Sequence, residues 1–97
     1  MPLSRQVGNV LGEANGILGV GDVARARDDD DAARSHFRQA LALYESVHRT
    51  DNIALAHERL ARVTGGAERA AHVAAAREAW SAMDLPDEVA RLDRAFG

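Results

Sequence analysis

The stretch ANGILGVGDVARARDDDDAARSHFRQALALYE, residues 14–45, predicts two antiparallel helices joined by an acidic turn. In its second half, apolar residues at positions i, i+4, i+7, i+8 and i+11 form one stripe along a helix face: Ala33, Phe37, Ala40, Leu41 and Tyr44. In its first half, small and apolar residues recur at steps of three and four: Ala14, Ile17, Gly21 and Ala24. Because small residues let a partner helix approach closely, the stretch predicts a helical hairpin with a tight seam.

The composition favours one small all-α domain. Alanine supplies 20 of the 97 residues and only four residues are aromatic, so we expect helices that pack by close backbone approach. No segment alternates apolar and polar residues over the length of a strand, so we expect no sheet. The sequence therefore predicts a single domain, residues 1–97, of about five helices.

The charged residues and the absence of cysteine argue against several classes of function. All 12 basic residues are arginine, so the chain has no lysine for a phosphate-binding loop or a Schiff base. A net charge of −3 gives no electrostatic footprint for nucleic acid, and a chain without cysteine forms no disulfide and no thiolate site. The apolar runs are too short to span a membrane, and residues 1–9 lack the apolar core of a signal peptide. We therefore expect a cytoplasmic protein that binds neither nucleic acid nor membrane.

Helix start and stop signals place the predicted helices along the chain. The first helix is expected to begin near residues 11–13 and to end near Arg27. The other four are expected at about residues 30–47, 52–64, 67–83 and 86–96.

An internal repeat is also predicted. An offset of 40 residues places Leu3 on Leu43 and Val7 on Val47, and a repeat of this length is typical of a helical solenoid. The predicted organisation has four parts: the end of a missing preceding helix (1–9), a first repeat (11–47), a degenerate second repeat (52–83) and a capping helix (86–96).

The acidic run Asp28–Asp31 is predicted to cap the second helix. Four carboxylates before a helix can accept hydrogen bonds from its free N–H groups and interact favourably with its dipole. A calcium loop would need alternating ligands, a glycine and a distal glutamate, which this run lacks. Asp51 or Asn52 is expected to cap the third helix.

Three glycines in the first helix, Gly16, Gly19 and Gly21, are expected to make helix–helix contacts. A phosphate-binding glycine loop would instead follow a β-strand, and no strand is predicted there.

The bulky Trp80 is expected in the core, where its indole N–H needs an acceptor. If Trp80 were exposed, it would instead be a binding anchor.

No catalytic or metal site is predicted. The histidines His36, His48, His57 and His72 fall on different predicted elements, whereas a zinc site needs three or four converging ligands. His57 is expected at the edge of the core. Ser35 and His36 are adjacent on a helix and point in different directions, so they form no nucleophile–base pair. We therefore expect a non-catalytic protein with no cofactor and no metal.

The hairpin resembles the tetratricopeptide repeat. The resemblance rests on small, glycine and aromatic residues at the positions that this repeat prefers: Val20-Gly21, Ala24, Asp28-Asp29, Ala33, Phe37 and Ala40-Leu41. The longer strings LGEANGILGVGDVARA, AARSHFRQALALYE and IALAHERLARV resemble the longer-period tetratricopeptide arrays of bacterial multidomain regulators, which follow ATPase domains. Some of those regulators are transcriptional activators. The resemblance implies a short right-handed solenoid of stacked helical hairpins.

The resemblance also implies a binding surface. In this family the first helix of each pair lines a concave face, and carried over to this sequence that face contains seven residues: Asn15, Leu18, Asp22, Arg25, Leu55, Glu58 and Arg62. The lysine and asparagine clamp with which some members hold a peptide carboxylate is absent here. Asp22 and Glu58 are expected to repel a carboxylate ligand.

These observations predict a protein-interaction module that binds a peptide or a partner domain through the concave face. Two repeats are fewer than the three or so that usually bury a continuous core. The alternative is therefore self-association through the open N-terminal end, which would form a homo-oligomer. A third function, small-molecule binding, would need an apolar pocket deeper than we expect from an alanine-rich surface.

Overall fold

The computed structural model describes residues 3–96 of the chain and the side chains of residues 6–96. Within this range the chain is all-α, as predicted, with five helices and no strand: α1 (Leu3–Ala26), α2 (Asp30–Ser46), α3 (Thr50–Arg62), α4 (Gly66–Ala82) and α5 (Pro86–Phe96). No helix in that range has an apolar segment long enough to cross a membrane.

The first helix is longer than predicted. It begins at Leu3 rather than near residues 11–13, so residues 3–9 form its first turns and are not the end of a separate helix. The offset of 40 residues misplaced this boundary because apolar positions in alanine-rich helices align easily by chance. Met1 and Pro2 lie outside the described residues. By contrast, α5 has the predicted bounds, because Pro86 and the two acidic residues after it form a strong helix start.

Three-residue turns connect each helix to the next, at residues 27–29, 47–49, 63–65 and 83–85. Connections this short make consecutive helices antiparallel neighbours. Three of the turns have a central residue with positive φ: Asp28 (61°), His48 (55°) and Asp84 (55°). In each case the following N–H donates to the carbonyl five residues earlier, which satisfies one of the free carbonyls at the helix end. Aspartate and histidine are among the residues that adopt this left-handed conformation more readily than most.

The acidic turn caps α2, as predicted. Oδ1 of Asp29 accepts a hydrogen bond from the N–H of Ala32 at 3.2 Å, and the next two aspartates lie in the first turn of the helix. The cap predicted for the third helix is wrong. That helix begins at Thr50, so Asp51 and Asn52 lie inside its first turn, where the charge of Asp51 still favours the helix dipole.

The central helix of the packing is α3, which contributes to each of three apolar clusters. The first cluster contains Ala14, Ala40, Tyr44 and Ala56, the second contains Ala33, Phe37, Leu60 and Val63, and the third contains Ala54, Ala76, Trp80 and Leu92. The apolar residues of α3 therefore face α1 and α2 on one side and α4 and α5 on the other. Small residues such as Ala54 and Ala56 allow both approaches.

Among the three glycines expected at helix contacts, Gly21 alone makes one. A Cβ atom added at Gly21 would lie 2.5 Å from Cε1 of Phe37, so the close approach of α1 to α2 requires glycine at this position. Gly16 and Gly19 do not contact another helix, because an added Cβ at either would have nothing within 4 Å. The prediction that they make helix–helix contacts within the chain is therefore wrong.

Ion pairs also link helices that are not consecutive. Asp22 of α1 pairs with Arg59 of α3 at 2.9 Å, and Glu58 of α3 pairs with Arg91 of α5 at 2.8 Å. On the other helices, Arg38 of α2 pairs with Glu68 of α4 at 2.7 Å. The molecule measures 44 × 34 × 19 Å, and the smallest dimension is close to two helix diameters of roughly 10 Å each.

Candidate functional site

An open depression between α1 and α3 brings together three of the seven predicted site residues. Asp22, Arg25 and Arg62 line it together with Arg59, and its volume is about 440 Å³. We call this surface, defined by these four residues, the arginine groove. Asp22 and Arg25 are three residues apart on α1, as Arg59 and Arg62 are on α3, so each pair lies on one helix face.

Charges within the arginine groove are unevenly paired. Nε of Arg59 donates to Oδ1 of Asp22 at 2.9 Å, so these two charges neutralise each other. Arg25 is exposed, and the guanidinium of Arg62 lies 5.4 Å from the centre of the Phe96 ring, a cation–π contact. Among the described side chains, neither Arg25 nor Arg62 forms an ion pair. The groove therefore carries a net positive charge on a chain whose overall charge is negative.

Arg59 was not among the predicted site residues. A signal for it was present in the sequence, because a residue three positions before Arg62 lies on the same face of a helix. The salt bridge between Arg59 and Asp22 joins positions 37 residues apart, and no local pattern predicts such a pair.

Glu58 does not face a ligand, which corrects the sequence-based prediction. It is 4% exposed and its carboxylate is fully engaged inside the protein. Nε1 of Trp80 donates to Oε2 at 2.8 Å, and the guanidinium of Arg91 donates to both carboxylate oxygens at 2.8 Å. We call these three residues the Glu58 cluster. Trp80 is itself 4% exposed, so the prediction that it lies in the core is confirmed.

The environment of Glu58 keeps its carboxylate ionised. Burial raises the pKa of Glu58, but hydrogen bonds from Arg91 and Trp80 and the charges of Arg91 and Arg62 outweigh burial, so the pKa lies below its usual value. The pKa of Arg91 is raised by its hydrogen bonds to Glu58 and Glu88. A bidentate arginine–carboxylate pair of this kind fixes the orientation of both side chains.

The remaining three predicted residues serve internal contacts. Asn15 Oδ1 accepts a hydrogen bond from the hydroxyl of the buried Tyr44. Leu18 is partly buried and packs against the first and second apolar clusters, and Leu55 packs against the third. Leu18 therefore faces the core between α1, α2 and α3, while Leu55 lies on the side of α3 that faces α4 and α5.

Two histidines meet between α3 and α4, although the sequence placed all four on separate elements. Nδ1 of His57 lies 3.0 Å from Nδ1 of His72, so one ring must donate and the other accept. Burial lowers the pKa of both, and His57 is lowered further by the charge of His72. At His72 the charge of Glu68 opposes the lowering and that of Arg38 adds to it. We call His57 and His72 the histidine pair.

The described residues contain no group of three or more His, Asp or Glu side chains that could hold a metal ion.

The arginine groove differs chemically from other depressions on the surface. One of about 380 Å³ lies beside α5 and includes Leu85, Pro86 and Val89, and one of about 390 Å³ lies near Val7, Val10 and Val47. Both are lined mainly by apolar atoms, whereas all four residues of the arginine groove are charged.

Comparison with known proteins identified no relative of this chain: no protein-family model, no curated protein and no solved structure matches it.

Proposed function

We propose that the chain is a non-catalytic interaction module that binds a peptide or a partner domain in the arginine groove. The observation that carries this proposal is the groove itself. Two helices converge there with three guanidinium groups, and only Arg59 is paired with a carboxylate within the described chain. Arginine is enriched among the residues that contribute most to protein–protein binding.

The packing supports a short solenoid of the tetratricopeptide type as the scaffold. Three of the residues that resemble the repeat, Ala33, Phe37 and Ala40, are fully buried, and Gly21 is required where α1 meets Phe37. Consecutive helices are antiparallel neighbours, and ion pairs connect α1 to α3, α3 to α5 and α2 to α4. This pattern is typical of hairpins stacked in two layers, and the smallest dimension of 19 Å agrees with two layers.

The chemistry of the groove favours binding over catalysis. Its single carboxylate, Asp22, is held by Arg59, and its other side chains are guanidinium groups, which offer neither a nucleophile nor a general base. The histidine pair, which could exchange protons, lies between α3 and α4 and does not line the groove.

Peptide selection followed by NMR mapping tests the proposal. A random peptide library is selected on the immobilised protein, and a selected peptide is then titrated into isotope-labelled protein. We expect the largest chemical-shift changes at Asp22, Arg25, Arg59 and Arg62. If peptides are selected but shift only resonances on the exposed sides of α2 and α4, the groove is not the binding site. If no peptide is selected, the interaction-module proposal is overturned for peptide ligands.

A second candidate function, self-association through α1, is favoured by glycines that no contact within the chain requires. Four of them lie on one exposed side of α1: Gly8, Gly12, Gly16 and Gly19. Each costs roughly 0.5–1 kcal/mol in a helix interior relative to alanine. Val20 and Val23 extend the same side and are each 52% exposed. Small residues beside exposed apolar ones suit the close approach of a second copy of α1.

Sedimentation velocity over a concentration series tests this alternative. We expect the wild-type chain to form dimers and Gly16→Leu to remain monomeric and folded, because leucine would block close approach yet favours a helix more than glycine does. Ala42→Leu, on the exposed side of α2, is the matched control and should not change the association. A wild-type protein that stays monomeric up to high micromolar concentration would exclude the alternative.

A further inference from the structure

We infer that the arginine groove selects an acidic segment of a separate partner protein, whose aspartate or glutamate side chains pair with Arg25 and Arg62. This inference rests on the proposed function, because it names the partner chemistry of the same groove. It also reverses the expectation from the sequence that Asp22 and Glu58 make this surface repel carboxylates.

The reversal follows from how the two acidic residues are paired. Glu58 is 4% exposed and gives both oxygens to Arg91, which lies on α5. Arg91 also bonds Glu88, another residue of α5 that does not line the groove. Asp22 accepts from Arg59 at 2.9 Å. The two carboxylates are thus neutralised by internal partners, while Arg25 and Arg62 have no ion pair among the described residues.

The geometry prepares these two guanidinium groups for carboxylates. Arg62 is held at one side by its contact with the Phe96 ring, at 5.4 Å, so less side-chain freedom is lost when a ligand binds. Arg25 projects from α1 on the opposite wall of the same depression. A guanidinium group binds a carboxylate through two parallel hydrogen bonds, which makes arginine selective for planar anions. Two such groups across one groove match an extended segment that carries at least two acidic side chains.

The negative charge on the rest of the chain favours an acidic partner over a basic one as the ligand of the groove. The net charge is −3, so a basic partner would find favourable charge over much of the surface, whereas an acidic partner finds it in the groove. The run Asp28–Asp31 of a second copy is also acidic and could occupy the groove. The experiments below distinguish that occupant from a segment of a separate partner protein.

Fluorescence anisotropy with blocked peptides tests the inference. The probe is an acetylated and amidated peptide of alternating glutamate and serine, so that only side-chain carboxylates carry charge. The same peptide with glutamine in place of glutamate is the neutral control, and a lysine version is the reversed control. We expect the glutamate peptide to bind at least ~10-fold more tightly than the glutamine peptide and to weaken as salt is added.

Charge-reversal variants then assign the binding to the groove. Arg25→Glu/Arg62→Glu should weaken the glutamate peptide at least ~10-fold and improve binding of the lysine peptide. Arg27→Glu/Arg94→Glu changes the net charge equally at exposed positions outside the groove, and should change the affinity less than about 3-fold. The double variant loses the contact between Arg62 and Phe96 and could unfold for that reason. Arg25→Glu alone then provides the test, because the side chain of Arg25 forms no hydrogen bond or ion pair within the described residues.

The outcomes separate this inference from the function on which it rests. If library peptides map to the groove but are neutral or basic, the acidic-partner inference is wrong and the interaction module stands. If no peptide of any charge shifts groove resonances, both are wrong. If the unliganded protein forms dimers that Arg25→Glu/Arg62→Glu abolishes, the occupant is the acidic run of a second copy and a separate partner is excluded.

Discussion

Glu58 and Arg59 are neighbours on α3, yet the structure uses their charges in opposite ways. Glu58 points into the protein, where Trp80 and Arg91 occupy its carboxylate. Arg59 points to the surface, where it holds Asp22 at the edge of the arginine groove. Two adjacent positions of α3 thus place a structural charge beside the proposed binding surface. The sign of a charged residue in the sequence therefore does not show which charge a ligand would meet at the surface.

The Glu58 cluster should be sensitive to the loss of its carboxylate. Glu58→Ala leaves the buried indole N–H of Trp80 without an acceptor and leaves Arg91 paired with Glu88 alone, so we expect a loss of about 2–4 kcal/mol in unfolding free energy. The value is reduced from that of a fully buried pair because the side chain of Arg91 is 38% exposed. Urea denaturation followed by circular dichroism measures it. Glu58→Gln, which keeps an acceptor for Trp80, should lose less.

Asp22→Ala, in a partly exposed pair, should cost less than about 1 kcal/mol of unfolding free energy. Equal losses at Glu58 and Asp22 would contradict the distinction between a structural and a surface ion pair.

Glycines on the two sides of α1 provide a second contrast between inside and outside. Gly21→Ala would place a methyl group against the Phe37 ring, so we expect a loss of about 1–3 kcal/mol from overpacking. Gly16→Ala meets open space and should gain roughly 0.5–1 kcal/mol from improved helix propensity. Thermal unfolding of both variants at low concentration, where association is minimal, measures the two effects. Effects of the same sign would mean that the packing of α1 on α2 differs from the one described.

The histidine pair should make the stability of the folded chain depend on pH. Both imidazole pKa values are lowered in the folded chain, so the unfolded chain binds protons first as the pH falls. Stability is therefore full above the ordinary histidine pKa of about 6.5 and declines as the pH falls below it. Denaturant titrations across this range measure the decline.

Glu58 contributes in a separate, more acidic window. Its pKa is lowered on folding, so its stabilisation is present above the usual pKa of a glutamate and is lost as the pH falls below it. Replacing both His57 and His72 with glutamine should remove the decline of the unfolding free energy near the ordinary histidine pKa. The decline at more acidic pH, which depends on Glu58, should remain. An unchanged profile in that variant would show that the histidine pair is not responsible.

The smallest expected effect on stability is at the groove. Arg25→Gln should change the unfolding free energy by no more than about 0.5 kcal/mol, because the side chain is exposed, unpaired among the described residues, and contributes mainly a favourable charge to the last turn of α1. The same variant should lose peptide binding. A large loss of stability in this variant would show that Arg25 has a structural role, in which case its side chain is not free for a ligand.

Local patterns in the sequence predicted the helices but not their partners. The stripe from Ala33 to Tyr44 and the helix start at Pro86 depend on spacings within one helix, and the structure agrees with both. The start of α1 was predicted too late in the chain, because the apparent repeat assigned residues 1–9 to a separate helix. Glycine weakens a helix without ending it, so α1 continues through this region.

The candidate site was only partly predictable for the same reason. Helical spacing places Asp22 with Arg25 and Arg59 with Arg62 on common faces. The burial of Glu58 depends on Arg91, 33 residues away, and a helix rotated by one position would expose it. The meeting of His57 and His72 likewise depends on how α3 and α4 align, which no spacing within either helix specifies.

The three-residue turns have a consequence for how the chain reaches this structure. Each helix packs mainly on the one just before or after it, so most contacts join residues that are close in sequence. Chains with such local contacts fold quickly, on the order of microseconds to milliseconds, because little loop entropy is lost before the first favourable contacts form. Hairpins can therefore form and dock one after another, and α3, which joins all three apolar clusters, is the element whose arrival should commit the chain to its native packing.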